Sequence, residues 1–277
     1  MKAIKHSIMT HTPQVERGVA TGFSEFDKAT GGLSRRELTV IAGQRGLGKT
    51  SLAIDLAMKY AKTMKVAFFS MEMAEQQLLT RMEGYIQENK YLDLVQGVVP
   101  VKSETKQQLA ELSLFICDKS GITPMQAGEI LNASGETFDV IIFDHIGCFR
   151  TTGFKGQRYE AIDRIAEYLK TMSKERNAIV IALCHLNRES ERRENHKPRL
   201  SDCREGAGLE NFGNKILLLY RPAFYNLYEE RKEGKFDDSE MYLILAKNTN
   251  GVTGEFPVVW LSDCMKFADV TFKLGEF

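Results

Sequence analysis

The sequence has 6 prolines, a single tryptophan and no net charge, since 37 lysines and arginines balance 37 aspartates and glutamates over 277 residues. That balance excludes capture of a polyanion by the field of the whole molecule, so a nucleic acid partner has to be met by a local basic surface. The 5 cysteines, Cys117, Cys148, Cys184, Cys203 and Cys264, are odd in number, widely spaced and without a Cys-x-x-Cys pair. This argues against both a zinc site and a disulfide framework and suits a reducing cytoplasm. No stretch approaches the ~18 apolar residues of a membrane helix, and the first 18 residues have no apolar centre of the kind an export signal needs. Internal repeats and low-complexity tracts are also missing. The chain is long enough to bury a sizeable core as one large domain.

What is present is a rhythm. Short, almost wholly apolar runs at 37–43, 66–70, 114–117, 139–145 and 178–183 read as strands. Helical patterns separate them: from Ser51 to about Thr63, from Ala74, from the cap-and-proline pair Thr123-Pro124, and over 159–176, where Ile162, Ile165, Leu169 and Met172 share one face. Such alternation predicts an α/β fold with a mostly parallel sheet flanked by helices on both sides. After Leu186 a polar loop over 187–208 leads to strands near 215–220, 241–247 and 256–261. Asn250-Gly251 between the last two is a hairpin signal, so the C-terminal strands are expected to be antiparallel. Upstream, Ser24 is expected to cap a short helix ended by Gly31-Gly32. Residues 1–18 read as an arm or linker remnant ahead of one domain over 19–277.

The chemistry centres on Gly43-Gln44-Arg45-Gly46-Leu47-Gly48-Lys49-Thr50, followed by Ser51, between a strand and a helix. This is a Walker A phosphate loop. Its glycines let backbone N–H groups close around a polyphosphate, the helix dipole adds to the attraction, Lys49 reaches the outer phosphates and Thr50 is placed to ligate Mg²⁺. Val140-Ile141-Ile142-Phe143-Asp144 has the Walker B pattern, with Asp144 as an Mg²⁺ holder through water or, more plainly, a strand-end cap. Glu72, just past the second strand, is either a solvated residue or the group that activates water. His185, at the end of another strand, is either a neutral histidine hydrogen-bonded at the sheet edge or a third group facing the same crevice.

Further stretches recur in a telling order: Thr21-Gly22-Phe23-Ser24-Glu25-Phe26-Asp27, the Walker A loop, Phe69-Ser70-Met71-Glu72-Met73, the Walker B strand, His185-Leu186-Asn187-Arg188, Ser201-Asp202-Cys203-Arg204-Glu205, Leu219-Tyr220-Arg221 and Ala246-Lys247-Asn248. From about Val19 to Phe267 the chain resembles the RecA-like C-terminal domain of DnaB-type replicative helicases. The resemblance implies a RecA-like P-loop NTPase that hydrolyses ATP with Mg²⁺ and moves on single-stranded DNA as a homo-hexamer. Helicase loader, primase or polymerase would be its partners, in the cytoplasm and without a membrane. It makes Glu72 the catalytic base, His185 the sensor of the γ-phosphate and Lys247 a catalytic cation. It assigns Arg150, Lys155 and Arg158, in a loop with basic residues and no acidic ones, and Arg204, Glu205 and Gly206 to DNA phosphate contact.

Two departures qualify that picture. Helicases of this type carry an N-terminal domain and a docking linker helix, whereas at most about twenty residues precede the core here. The family also usually reads Lys-x-Arg where this chain has Lys247-Asn248-Thr249. That arginine is a finger inserted into the neighbouring subunit's ATP site, a contribution typically worth about 10³–10⁵ in rate. Lys247 or Arg221 is left to supply the charge. A second reading therefore stays open, a nucleotide-binding, helicase-like accessory or regulatory protein with weak or no ATPase that associates with DNA or another helicase. A small-molecule phosphotransferase is the third, and the chain shows no arginine-rich lid segment of the kind such an enzyme closes over its substrate.

Overall fold

The computed structural model describes residues 18–151, 158–187, 189–203, 207–225 and 238–271, with only the backbone at 158, 159 and 207. Six strands, β1 (Leu38–Gly43), β2 (Val66–Ser70), β3 (Leu114–Cys117), β4 (Val140–Asp144), β5 (Ile179–His185) and β6 (Lys215–Tyr220), run parallel. Three more, β7 (Glu240–Asn248), β8 (Gly254–Leu261) and β9 (Lys266–Ala268), continue the sheet antiparallel. The order across the sheet is β3-β2-β4-β5-β1-β6-β7-β8-β9. The parallel core and the antiparallel turn after β6 agree with the sequence reading, and Asn250-Gly251 lies in the β7–β8 turn.

Strands β1, β2, β4, β5 and β6 are mostly apolar because both of their faces are covered. In β1, Leu38, Val40 and Ala42 join Val180 and Ala182 of β5 in one cluster. The alternate residues Ile41, Ile181 and Leu183 join the opposite cluster. The first cluster is closed by α6 (Pro124–Ala133) and by α7 (Arg158–Glu175), whose Ile162, Ile165, Leu169 and Met172 all face inward. The second is closed by α1 (Ser24–Thr30), α2 (Lys49–Tyr60) and α3 (Glu75–Gln87). Helix α6 starts at the expected capping box, with Thr123 and Gln126 satisfying each other's backbone N–H.

Ser24 is not the expected cap. Helix α1 begins at Ser24 itself, with Phe23 at the N-cap and no side-chain cap bond. The Asp27 carboxylate accepts from the N–H groups of Thr21 at 2.9 Å and Gly22 at 2.8 Å, while the Ser24 hydroxyl donates to Asp269 at 3.0 Å. Gly31 ends the helix as expected, at φ 72°. The sequence reading did not anticipate α4 (Tyr91–Val95), α5 (Ser103–Ala110), α8 (Ala207–Phe212) or β9.

At the sheet end away from the strand C-termini, Lys215 Nζ lies 2.6 Å from Glu37 Oε2, with the two side chains only 3% and 9% exposed. Asn250 donates to the other Glu37 oxygen at 2.7 Å, so this network pins the β7–β8 turn to the starts of β1 and β6. Removing one partner strands a buried charge, which costs about 3–5 kcal/mol. Lys215→Ala is expected to lower stability by that order in chemical denaturation. The matched apolar pair Glu37→Leu with Lys215→Met should lose far less, and equal losses would contradict this account.

Candidate active site

Parallel strands deliver their C-terminal ends to one edge, and register decides which residues meet there. Gly43 of β1 pairs with His185 of β5, and Ser70 of β2 pairs with Asp144 of β4. The phosphate loop leaves β1 and enters α2, with Gly46 at φ 77° and Gly48 at φ 98°. A side chain at either would be strained in this left-handed region. A Cβ at Gly48 would in addition touch the Trp260 and Phe267 rings at 3.5 Å. Lys49 Nζ donates to the carbonyls of Gly43 and Gln44, each at 2.9 Å. Burial pulls its pKa down to about 8, against the raising influence of Asp144.

Together these ends enclose a cavity of about 480 Å³ lined by Arg45, Gly46, Gly48, Lys49, Thr50, Ser51, Glu72, Asp144 and His185. Met73, Arg81, Trp260 and Met265 complete its wall. Asp144 is 3% exposed. Burial pushes its pKa up to about 6; a hydrogen bond from Thr50 opposes this and the Glu72 charge adds to it. The Thr50 hydroxyl and the Asp144 carboxylate are hard oxygen donors in contact, a set that fits Mg²⁺. Burial, then the charge on Lys49, hold His185 down at about 4, so its ring is neutral near pH 7. The sequence left open a hydrogen-bonded edge histidine: the backbone of Gly43, its register partner on β1, is close enough to raise the His185 pKa, although neither ring nitrogen meets full hydrogen-bond geometry.

Not every residue of the expected nucleotide set turns toward the cavity. Leu47 is 2% exposed and packs in the core. The Gln44 amide donates to the Asn187 carbonyl at 2.7 Å and to Ser190 Oγ at 3.0 Å, so its side chain anchors the segment after β5. That segment is further held by Arg193, whose guanidinium donates twice to the buried Asp202 carboxylate at 2.6 Å. Lys247 and Thr249 sit at the opposite end of the sheet, beside the start of β6. There Lys247 Nζ donates to the Glu210 carbonyl at 2.5 Å, and Thr249 donates through both N–H (2.9 Å) and Oγ1 (3.1 Å) to the Asn214 carbonyl. Arg221 is at the cavity end instead, its guanidinium 6.0 Å from the Trp260 ring. Arg150 follows β4 and is exposed. Lys155, Arg204, Glu205, Gly206 and the side chain of Arg158 lie outside the described residues.

Sequence reasoning missed Arg81, His145, Trp260 and Met265. Arg81 is half-buried on α3, its guanidinium 5.5 Å from the Tyr91 ring and near enough to Asp144 to lower that residue's pKa. His145 packs edge-on to His185, with ring centroids 4.3 Å apart.

A phosphate loop feeding a helix, with a buried aspartate, a carboxylate and an imidazole on the same sheet edge, defines a RecA-like P-loop NTPase domain. The profile of the DnaB-like helicase C-terminal domain family matches residues 18–269, and the chain belongs to that family. It is 30% identical over 274 residues to the replicative DNA helicase DnaB of Geobacillus stearothermophilus, covering 94% of this chain and 58% of the relative. Over 253 residues it is 31% identical to that of Haemophilus influenzae, covering 86% of this chain and 52% of the relative. The chain thus spans little more than half the length of these relatives. Two solved structures share the fold with TM-scores of 0.81. One, described as an ATPase domain, is 23% identical over 97% of this chain and 96% of that one. The other, a DnaB-like replicative helicase described with its interactions with primase, is 22% identical over 97% and 67%.

Proposed function

We propose that the chain is an ATP-driven motor domain that translocates on single-stranded DNA during replication, working as a homo-hexameric ring with Mg²⁺. The observation that carries this reading is the convergence of Lys49, Thr50, Glu72, Asp144 and His185 on one cavity. Lys49 binds the outer phosphates, Thr50 and Asp144 hold Mg²⁺, Glu72 accepts a proton from the attacking water and neutral His185 offers a nitrogen toward the terminal phosphate. Mg²⁺ supplies neutralisation of the phosphate charge. Arg150 and the basic loop after it meet DNA phosphates. Loader, primase or polymerase are the partners that the family suggests.

The test is steady-state ATPase activity with and without single-stranded DNA, together with particle mass by light scattering in ATP. Strong stimulation and a six-fold mass are expected. One observation favours a second reading, a nucleotide-binding accessory protein: Lys247 and Thr249 are both engaged within their own chain. Tight ATP binding with turnover that ignores DNA would select that reading.

The buried Asp144 gives a pH signature. With its pKa at about 6, a proton and Mg²⁺ compete for the carboxylate below that pH. The apparent Mg²⁺ affinity at fixed ATP should rise with pH up to about 6 and level off above, by titration of the Trp260 fluorescence. Asp144→Asn should keep only the dependence that belongs to ATP itself, and an unchanged profile in that variant would remove Asp144 from the metal site.

A further inference from the structure

We propose that His145 is a positioning residue that holds the Glu72 carboxylate for its work as base and ties it to His185. The inference rests on the reading of Glu72 as base given above. It begins with register: Ser70 pairs with Asp144, and the Met71 N–H donates to the Asp144 carbonyl at 2.8 Å, so the segments leaving β2 and β4 stay side by side. His145 is therefore brought against Glu72, and it is 9% exposed.

The tautomer follows from the backbone. Gly147 N–H donates to His145 Nδ1 at 3.1 Å, which leaves the proton of the neutral ring on Nε2. Nε2 lies 3.5 Å from Glu72 Oε2 and 3.4 Å from Cys148 Sγ. The second of these is the hydrogen bond that the ring makes at rest, and the first lies just beyond hydrogen-bond range, so Nε2 stands within a small side-chain rotation of a Glu72 carboxylate that is itself 58% exposed. The edge contact with His185 makes the same ring a spacer between the group that meets the terminal phosphate and the base.

Glu72, His145 and His185 bring potential metal-ligating atoms within 4.8 Å of one another. A ligating histidine presents a lone pair to the metal and donates its other N–H outward. In His145 the arrangement is reversed, since the outward nitrogen accepts from Gly147. The N–H left on Nε2 is on the side of the ring that faces Glu72 and Cys148.

The experiment compares His145→Phe and His145→Gln in the full chain, each alone and with Glu72→Gln. A glutamine amide can replace the Nε2–H donor, whereas phenylalanine fills the space without it. H145F should lower kcat by at least about tenfold, as misplacing a catalytic group does, with ATP affinity within about twofold of the parent. H145Q should recover most of that loss. In the Glu72→Gln background H145F should cause no further loss, because phenylalanine keeps a ring against His185 and removes only the donor meant for the carboxylate. Should H145F fail to fold, H145M removes the same donor with a more adaptable side chain. Equal kcat for H145F and H145Q, or an undiminished loss in the Glu72→Gln background, overturns the inference while leaving Glu72 as base. Full activity of Glu72→Gln alone overturns both.

Discussion

Replacing Glu72 by glutamine is expected to cut DNA-stimulated ATP turnover by about 10²–10⁴ while ATP still binds. The substitution keeps size and hydrogen-bonding reach but removes, among the described residues, the only proton acceptor of the cavity that is both anionic and exposed, since Asp144 is buried and committed to Thr50. Binding should survive because, on the proposed reading, phosphate capture belongs to the loop and Lys49. ADP release with and without single-stranded DNA measures the first quantity, and quenching of Trp260, the single tryptophan and part of the cavity wall, measures the second. Undiminished DNA-stimulated turnover would remove Glu72 from the chemistry.

Lys49→Ala acts on the earlier step. The amine now rests on the carbonyls of Gly43 and Gln44, from which it can swing to a phosphate oxygen. A charge-assisted bond of this kind is worth about 1.5–3 kcal/mol, so ATP affinity should fall by roughly 10–150-fold. The sign of the pH effect is fixed by the lowered pKa of about 8. A polyanion favours the protonated amine, so parent affinity declines as pH rises through about 8, and the alanine variant shows no such decline. Retained affinity in the variant would mean that backbone N–H groups alone hold the triphosphate.

Much of this arrangement is legible in the chain. Buried strands are apolar at nearly every position, so β2 and β6 stand out as runs with only Ser70 and the ion-paired Lys215 at their ends, and the half-buried β3 stands out as a run of four apolar residues. Helix α7 shows itself through a long amphipathic period, whereas α4, α5 and α8 offer only 5–8 residues each, too few for a period to emerge. The phosphate loop is readable because its function demands a fixed local spacing. Trp260 and Met265 carry no such mark: they reach the cavity only because β8 and β9 fold back over α2, a long-range consequence of the sheet order. His145 is next to Asp144 in sequence, yet its meeting with Glu72 depends on the pairing of β2 with β4. Gln44 misleads in the other direction, since membership of the motif suggests phosphate contact and the side chain faces away.

That last residue makes the triphosphate cradle and the segment after β5 one mechanical piece. The Gln44 amide is a strut with one end in the cradle and the other on Asn187 and Ser190. Tension applied to the segment is delivered to the cradle through that side chain. On the proposed reading, a triphosphate in the cradle and a ligand on that segment that favour different arrangements of the strut would change each other's affinity by the same factor.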